Sequence, residues 1–245
     1  MQADHFEQQK LLALAAEDVA LAQLAHRKRT LPELAAVQAA QEAQRTLADD
    51  VVRAETEVRD LDREQKRLEG DVDTVRQREA RDQSRLDGGA TAKEATGLQH
   101  ELESLKRRQS DLEDQVLELM ERRETADAAL AAAQSGLAAA EADQQRAEQQ
   151  RDDALADIAD QTKRHQAARN EVAAGISAPL LTLYDRIRTQ TGTTGAALLK
   201  ARSCQGCRIE FYGSQLAAVR NADPHEVVRC ENCGRILVRT AESGL

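Results

Sequence analysis

From Leu98 to Val172, steps of alternately four and three residues land on 22 positions, 16 of them apolar, without a break in register. A seam repeating every 3.5 residues winds a helix around a partner, so it predicts a coiled coil. At a rise of about 1.5 Å per residue the segment would be about 110 Å long. Arg123, Arg151 and His165 stand at seam positions, where such residues set register or extend their charged ends to water.

The partner helix lies upstream. Leu34, Val37, Ala48, Val51, Ala54, Val58, Leu61, Leu68, Val72, Val75 and Leu86 keep similar spacing, with one short step at 51 to 54 that reads as a stammer. Between the two seams runs LDGGATAKEATG, residues 86–97, whose Gly88-Gly89 pair can end a helix. An antiparallel hairpin with its tip near 87–97 pairs residues whose numbers sum to about 182. It sets the Ala-rich stretch 35–43 against 139–147, which is also Ala-rich, so the two helices can approach closely there. Pro32 lacks a helical N–H and interrupts the first helix, leaving Leu11, Leu14, Leu21 and Leu24 either to prolong the hairpin or to fold back separately.

Composition agrees. Aromatic residues are 2 % of the chain and charged residues 31 %, which suits long solvated helices better than an ordinary globular core. Residues 1–199 hold 27 basic and 38 acidic side chains, whereas residues 200–245 hold seven and five. The acidic helices would repel a phosphate backbone, so any nucleic-acid contact is expected from the C-terminal segment. No apolar run approaches the roughly 20 residues of a membrane span, and the N-terminus MQADHFEQQK has no basic leader; a cytoplasmic location is expected.

Residues 176–199 change character. Ser177 is a fair N-cap, Pro179 suits a first turn, and Leu180, Leu183, Tyr184 and Ile187 form one apolar stripe ending before Gly192. This predicts a short helix docking the C-terminal segment, then a strand over Ala196–Arg202.

The four cysteines are spaced C-x2-C-x22-C-x2-C: Cys204, Cys207, Cys230 and Cys233. Two residues between thiolates let one tight turn present both sulfurs to a single ion, and two such turns complete a zinc tetrahedron. With every position filled by protein, the zinc is expected to be structural. The segment 200–245 has few large apolar residues and needs such a staple; structural zinc is worth on the order of 10 kcal/mol of folding free energy. A redox dithiol would need only one pair, and a disulfide framework would need an oxidising compartment.

The combination of CQGC, CENCGRIL and the post-tip stretch KEATGLQHELESLKRRQSDLEDQVLELME, residues 93–121, resembles a bacterial family of coiled-coil hairpin proteins with a C-terminal four-cysteine zinc ribbon. The resemblance implies a mostly α protein: a long antiparallel two-helix hairpin over 1–175, a short helix and linker over 176–199, and a small β zinc ribbon over 200–245. It implies one zinc on the four cysteines, no enzymatic activity, and binding to nucleic acid. Val238 departs from it, standing where an aromatic often succeeds the Gly-Arg-Ile-Leu run.

Three function classes are open. A binding adaptor would engage a protein through the coiled coil and RNA or DNA through the ribbon, where Arg202, Arg208, Arg229, Arg235 and Arg239 could meet phosphates and Phe211 and Tyr212 could stack on bases. Against this, scattered arginines are usually a solvated face, and the two rings are equally suited to a small core. The second class is an assembly protein acting through protein contacts alone, as a monomer or a homodimer. An enzyme is disfavoured: the chain has no G-x-x-x-x-G-K-[ST] loop, no Ser-centred elbow and no open metal set.

Overall fold

The Asp4 carboxylate accepts a hydrogen bond from the Phe6 N–H and so starts the first helix, α1, His5–Arg29, whose last turn is rich in cations that suit its carbonyl end. Pro32 then opens α2, Pro32–Asp87, at the first-turn position where its missing N–H costs nothing. In the computed structural model, which describes residues 1–245, there are three more helices: α3, Ala92–Ala174; α4, Ala178–Thr191; and α5, Gly213–Asn221. The strands are short: β1, Ala196–Lys200; β2, Ser203–Cys204; and β3, Ile236–Val238. The chain forms two compact units, one of Met1–Leu34 with Gln150–Leu245 and one of Ala35–Gln149.

In the unit of residues 35–149, α2 and α3 run antiparallel on either side of the tip. Thr91 caps α3 and Glu94 reaches back to the Thr91 N–H at 3.0 Å, which makes a reciprocal cap. Those hydrogen bonds, from the Thr91 side chain first and its backbone second, hold the Glu94 carboxyl below its usual range. Val58, Leu61, Leu68 and Val72 of α2 are buried against Leu112, Leu119 and Ala126 of α3, as the two seams predict. Cross-helix pairs keep the expected sum: Arg78 meets Glu101, Arg123 meets Asp62, and Leu47 reaches the backbone at Gly136. Arg123 thus serves register through an ion pair of 2.6 Å.

In the other unit α1 is the antiparallel partner of the C-terminal part of α3. Leu24 and Leu31 pack with Ile158, the His165 ring meets Glu17 at 2.7 Å, and Lys10 donates to the Gly175 carbonyl. The same sum of about 182 holds here too, so α1 is a separate helix that takes up the pairing α2 makes elsewhere. Leu31, in the break, is the buried residue and packs with Ile158, whereas Leu34, expected in the seam, is 42 % exposed.

The expected short helix is α4. Leu180, Tyr184 and Ile187 are buried, Gly192 ends the helix, and the Ser177 N–H is satisfied by Glu7. Their stripe joins Leu11, Leu14, Ile176, Ala196, Ile236 and Val238 in one core. The sheet, in the order β2-β1-β3, is therefore one wall of a helical core, with β1 parallel to β3 and antiparallel to β2. Because the ribbon's strands bury one face on α1 and α4, residues 1–34 and 150–245 form one compact unit. Residues 1–3 join the ribbon as well, through Ala3 N–H to His225 and Val227 N–H to the Met1 carbonyl.

The strand after Gly195 is shorter than expected. It stops at Lys200, and Ala201 and Arg202, with φ of +44° and +63°, form a two-residue turn into β2. Arg202 is therefore a turn residue. Its N–H and that of Ala201 are held by the carbonyls of Ser243 and Glu242.

Candidate metal centre

Each cysteine pair sits on a tight turn of the same construction. In the first, the Arg208 N–H bonds to the Cys204 carbonyl at 2.7 Å; in the second, the Gly234 N–H bonds to the Cys230 carbonyl at 2.8 Å. Both donors have positive φ, +61° at Arg208 and +72° at Gly234. Glycine adopts that conformation freely in the second turn, while Arg208 accepts about 1 kcal/mol of strain in the first.

The turns face each other. Cys204 Sγ lies 3.8 Å from Cys233 Sγ, Cys207 Sγ lies 3.8 Å from Cys230 Sγ, and all four sulfurs fall within 4.8 Å of one another. A tetrahedron with about 2.3 Å from metal to sulfur has edges of about 3.8 Å, so the cluster has the dimensions of a closed four-thiolate zinc site. All four predicted ligands are brought together, and the chain holds one structural zinc.

The thiols are not equivalent. Burial pushes the Cys204 thiol up to about 12 and raises that of Cys230. Burial also acts against ionisation of Cys233, but hydrogen bonds from the Arg235 backbone and side chain outweigh it and lower this thiol to about 7. Zinc entering the site therefore displaces protons from the Cys204 and Cys230 sulfurs near neutral pH.

Around the metal, Cys204, Cys230 and Phe211 share a second small core with Leu199, Val219 and Leu237. Phe211 is 1 % exposed, so the base-stacking role proposed for it would require opening this core. Tyr212 is 68 % exposed and bonds to Glu210.

Most of the nominated arginines serve the ribbon itself. Arg239 donates to the carbonyls of Ala222, Asp223 and Glu226 at 2.6–2.9 Å, gathering the loop after α5. Arg235 holds Thr193 and Thr194, Arg229 bonds to the Gly234 carbonyl, and Arg202 to that of Gly244. Arg208 alone of the five keeps an exposed side chain with no such carbonyl partner.

Sequence reasoning missed Asp18. Its side chain is 1 % exposed and accepts from Arg169, Arg188 and Tyr184 at 2.7–2.8 Å, joining α1, α3 and α4. Burial alone would lower the Arg169 pKa, but the Asp18 hydrogen bond and charge raise it. The one available signal was an acid on the apolar face of α1, four residues after Leu14.

Comparison with known proteins agrees with this geometry. Residues 14–192 match the CT398-like coiled coil hairpin domain, and residues 203–237 match the C4-type zinc ribbon domain. A Mycobacterium tuberculosis protein is 41 % identical over 240 residues, covering 98 % of each chain, and a Mycobacterium leprae protein is 31 % identical over 221 residues, covering 89 % of this chain and 94 % of its own. A solved Mycobacterium smegmatis structure superposes with a TM-score of 0.85 at 35 % identity, covering 98 % of this chain and all of its own. CT398 of Chlamydia trachomatis shares the fold, with a TM-score of 0.66 at 19 % identity over 95 % of this chain and 97 % of its own. With a hairpin match over most of its length and a zinc ribbon built on four converging cysteines, this chain belongs to the CT398-like coiled-coil hairpin family.

Proposed function

We propose that this protein is a non-enzymatic cytoplasmic adaptor: the zinc ribbon is a structural staple, and the helices carry the recognition of a protein partner. The observation that carries this reading is the internal use of the ribbon's polar groups. Arg239 alone binds several backbone carbonyls, Arg202, Arg229 and Arg235 each hold a neighbouring loop, and Phe211 is core. Groups so engaged cannot also bind phosphates without giving up those contacts. No helix is long and apolar enough to cross a membrane. The test is affinity capture with the full chain, with and without nuclease. Partners that survive nuclease support the adaptor; partners that all vanish with it refute it.

Nucleic-acid binding by the ribbon is the second reading, favoured by the exposed Arg208 and Tyr212. It requires a salt-sensitive mobility shift of RNA or DNA, weakened by Arg208→Ala.

A further inference from the structure

Residues 35–149 hold 27 acidic and 17 basic side chains, a net charge of −10 against −9 for the whole chain, so this unit carries all of the acidic excess. On this acidic surface three large apolar side chains lie exposed outside the seam: Val52, 58 % exposed, on α2, and Leu117, 60 %, and Met120, 50 %, on α3; the latter two lie together. Three residues apart, they share one face of α3.

Leu117 lines two adjoining depressions. One, of about 350 Å³, is floored by Val72 and Val116 between α2 and α3; the other, of about 430 Å³, continues along α3 past Met120. The rim carries Glu69, Asp73 and Glu113 at one end and Glu121, Glu124 and Asp127 at the other. Its two cations are already engaged, Arg76 by Glu113 and Arg123 by Asp62 and Asp127.

We propose that this groove between α2 and α3 is a docking site for an amphipathic helix with basic flanks, supplied by a partner protein. The proposal deepens the adaptor reading and rests on it. A groove between two packed helices receives the apolar stripe of a third, which buries Leu117 and Met120. The surplus carboxylates of the rim select lysine or arginine beside that stripe. A second copy of this chain fits poorly, because it would set one unit of charge −10 against another.

The test uses the full-length, zinc-loaded protein and a fluorescent synthetic helix with leucines at i, i+3, i+4 and i+7 flanked by lysines. Two controls carry glutamates in place of the lysines or the same residues in scrambled order. Binding of the lysine-flanked helix is expected to weaken with salt and to fall about tenfold or more in the Leu117→Ser/Met120→Ser protein. Glu121→Gln/Glu124→Gln should also weaken it, and neither control should match it. All four substituted side chains are exposed, so the circular dichroism of both variants should be unchanged.

Equal binding by the scrambled peptide, indifference to both variant pairs, or no binding would overturn the proposal. So would a concentration-dependent dimer by light scattering that Leu117→Ser/Met120→Ser abolishes. If nuclease-resistant partners are still captured by the Leu117→Ser/Met120→Ser protein, the groove is wrong while the adaptor reading stands.

Discussion

The phenol of Tyr184 donates a 2.7 Å hydrogen bond to Asp18 Oδ2 across 166 positions of the chain. Asp18 also accepts from Arg169 and Arg188, so one buried carboxylate unites α1, α3 and α4 beneath the ribbon's sheet. Asp18→Ala would leave Arg169, whose side chain is 13 % exposed, without its main counter-charge. A loss of about 3–5 kcal/mol is expected. Both tyrosines of the chain lie in this unit and there is no Trp, so tyrosine fluorescence during urea unfolding isolates the effect.

The same bond predicts alkaline sensitivity. Burial first, and the Asp18 hydrogen bond and charge next, raise the Tyr184 pKa above its usual value near 10. A folded-state pKa above the unfolded one contributes stability that is fully present below pH of about 10 and is lost as the pH climbs beyond it. Tyr184→Phe should cost about 1 kcal/mol at neutral pH, yet flatten the fall of the urea midpoint between about pH 10 and 11.5. An unchanged slope would show that this phenol does not govern it.

Zinc affinity should decline as pH falls, because protons and metal compete for the same sulfurs and burial makes the Cys204 and Cys230 thiols hold their protons. Chelation below about pH 5 should release one zinc per chain, measured with a colorimetric indicator, and disturb the spectra of residues 196–239. The seam of residues 35–149 contains none of these ligands, so far-ultraviolet dichroism should keep most of its helical amplitude. Cys230→Ser should abolish stoichiometric zinc.

Arg239 separates the two readings of the ribbon. Arg239→Ala leaves carbonyls at Ala222, Asp223 and Glu226 without their donor and should destabilise this unit by about 2 kcal/mol. Arg239→Lys should recover little of that, because an ammonium cannot span the same set of acceptors as a planar fork. Full rescue by lysine, read in thermal melts, would point to a simple charge role instead.

Gly195 lies so close to α4 that an added Cβ would come within 2.2 Å of the Tyr184 carbonyl oxygen. Gly195→Ala must push β1 away from α4 and should lower stability by about 1–3 kcal/mol. An alanine variant as stable as the parent would mean that this contact is looser than 2.2 Å implies.

Periodicity and spacing carried a good part of the structure. The seam from Leu98 to Val172, the tip at Gly88-Gly89 and the cysteine pairs are local patterns whose physics is the same in any context: a 3.5-residue repeat must face a partner, and two paired thiolates on tight turns can share a tetrahedral ion. From residue identities alone came the hairpin, its antiparallel sum near 182, the short helix ending at Gly192 and the zinc ligands. The tertiary structure decided what depends on residues far apart in the chain. It placed α1 beside the end of α3, buried Asp18 under two arginines and a tyrosine, sent Phe211 into the core, and turned Arg202, Arg229, Arg235 and Arg239 onto backbone carbonyls. An arginine that will bind a phosphate and one that will bind a carbonyl are spelled alike, and only the folded chain sets which acceptor lies within reach of the guanidinium.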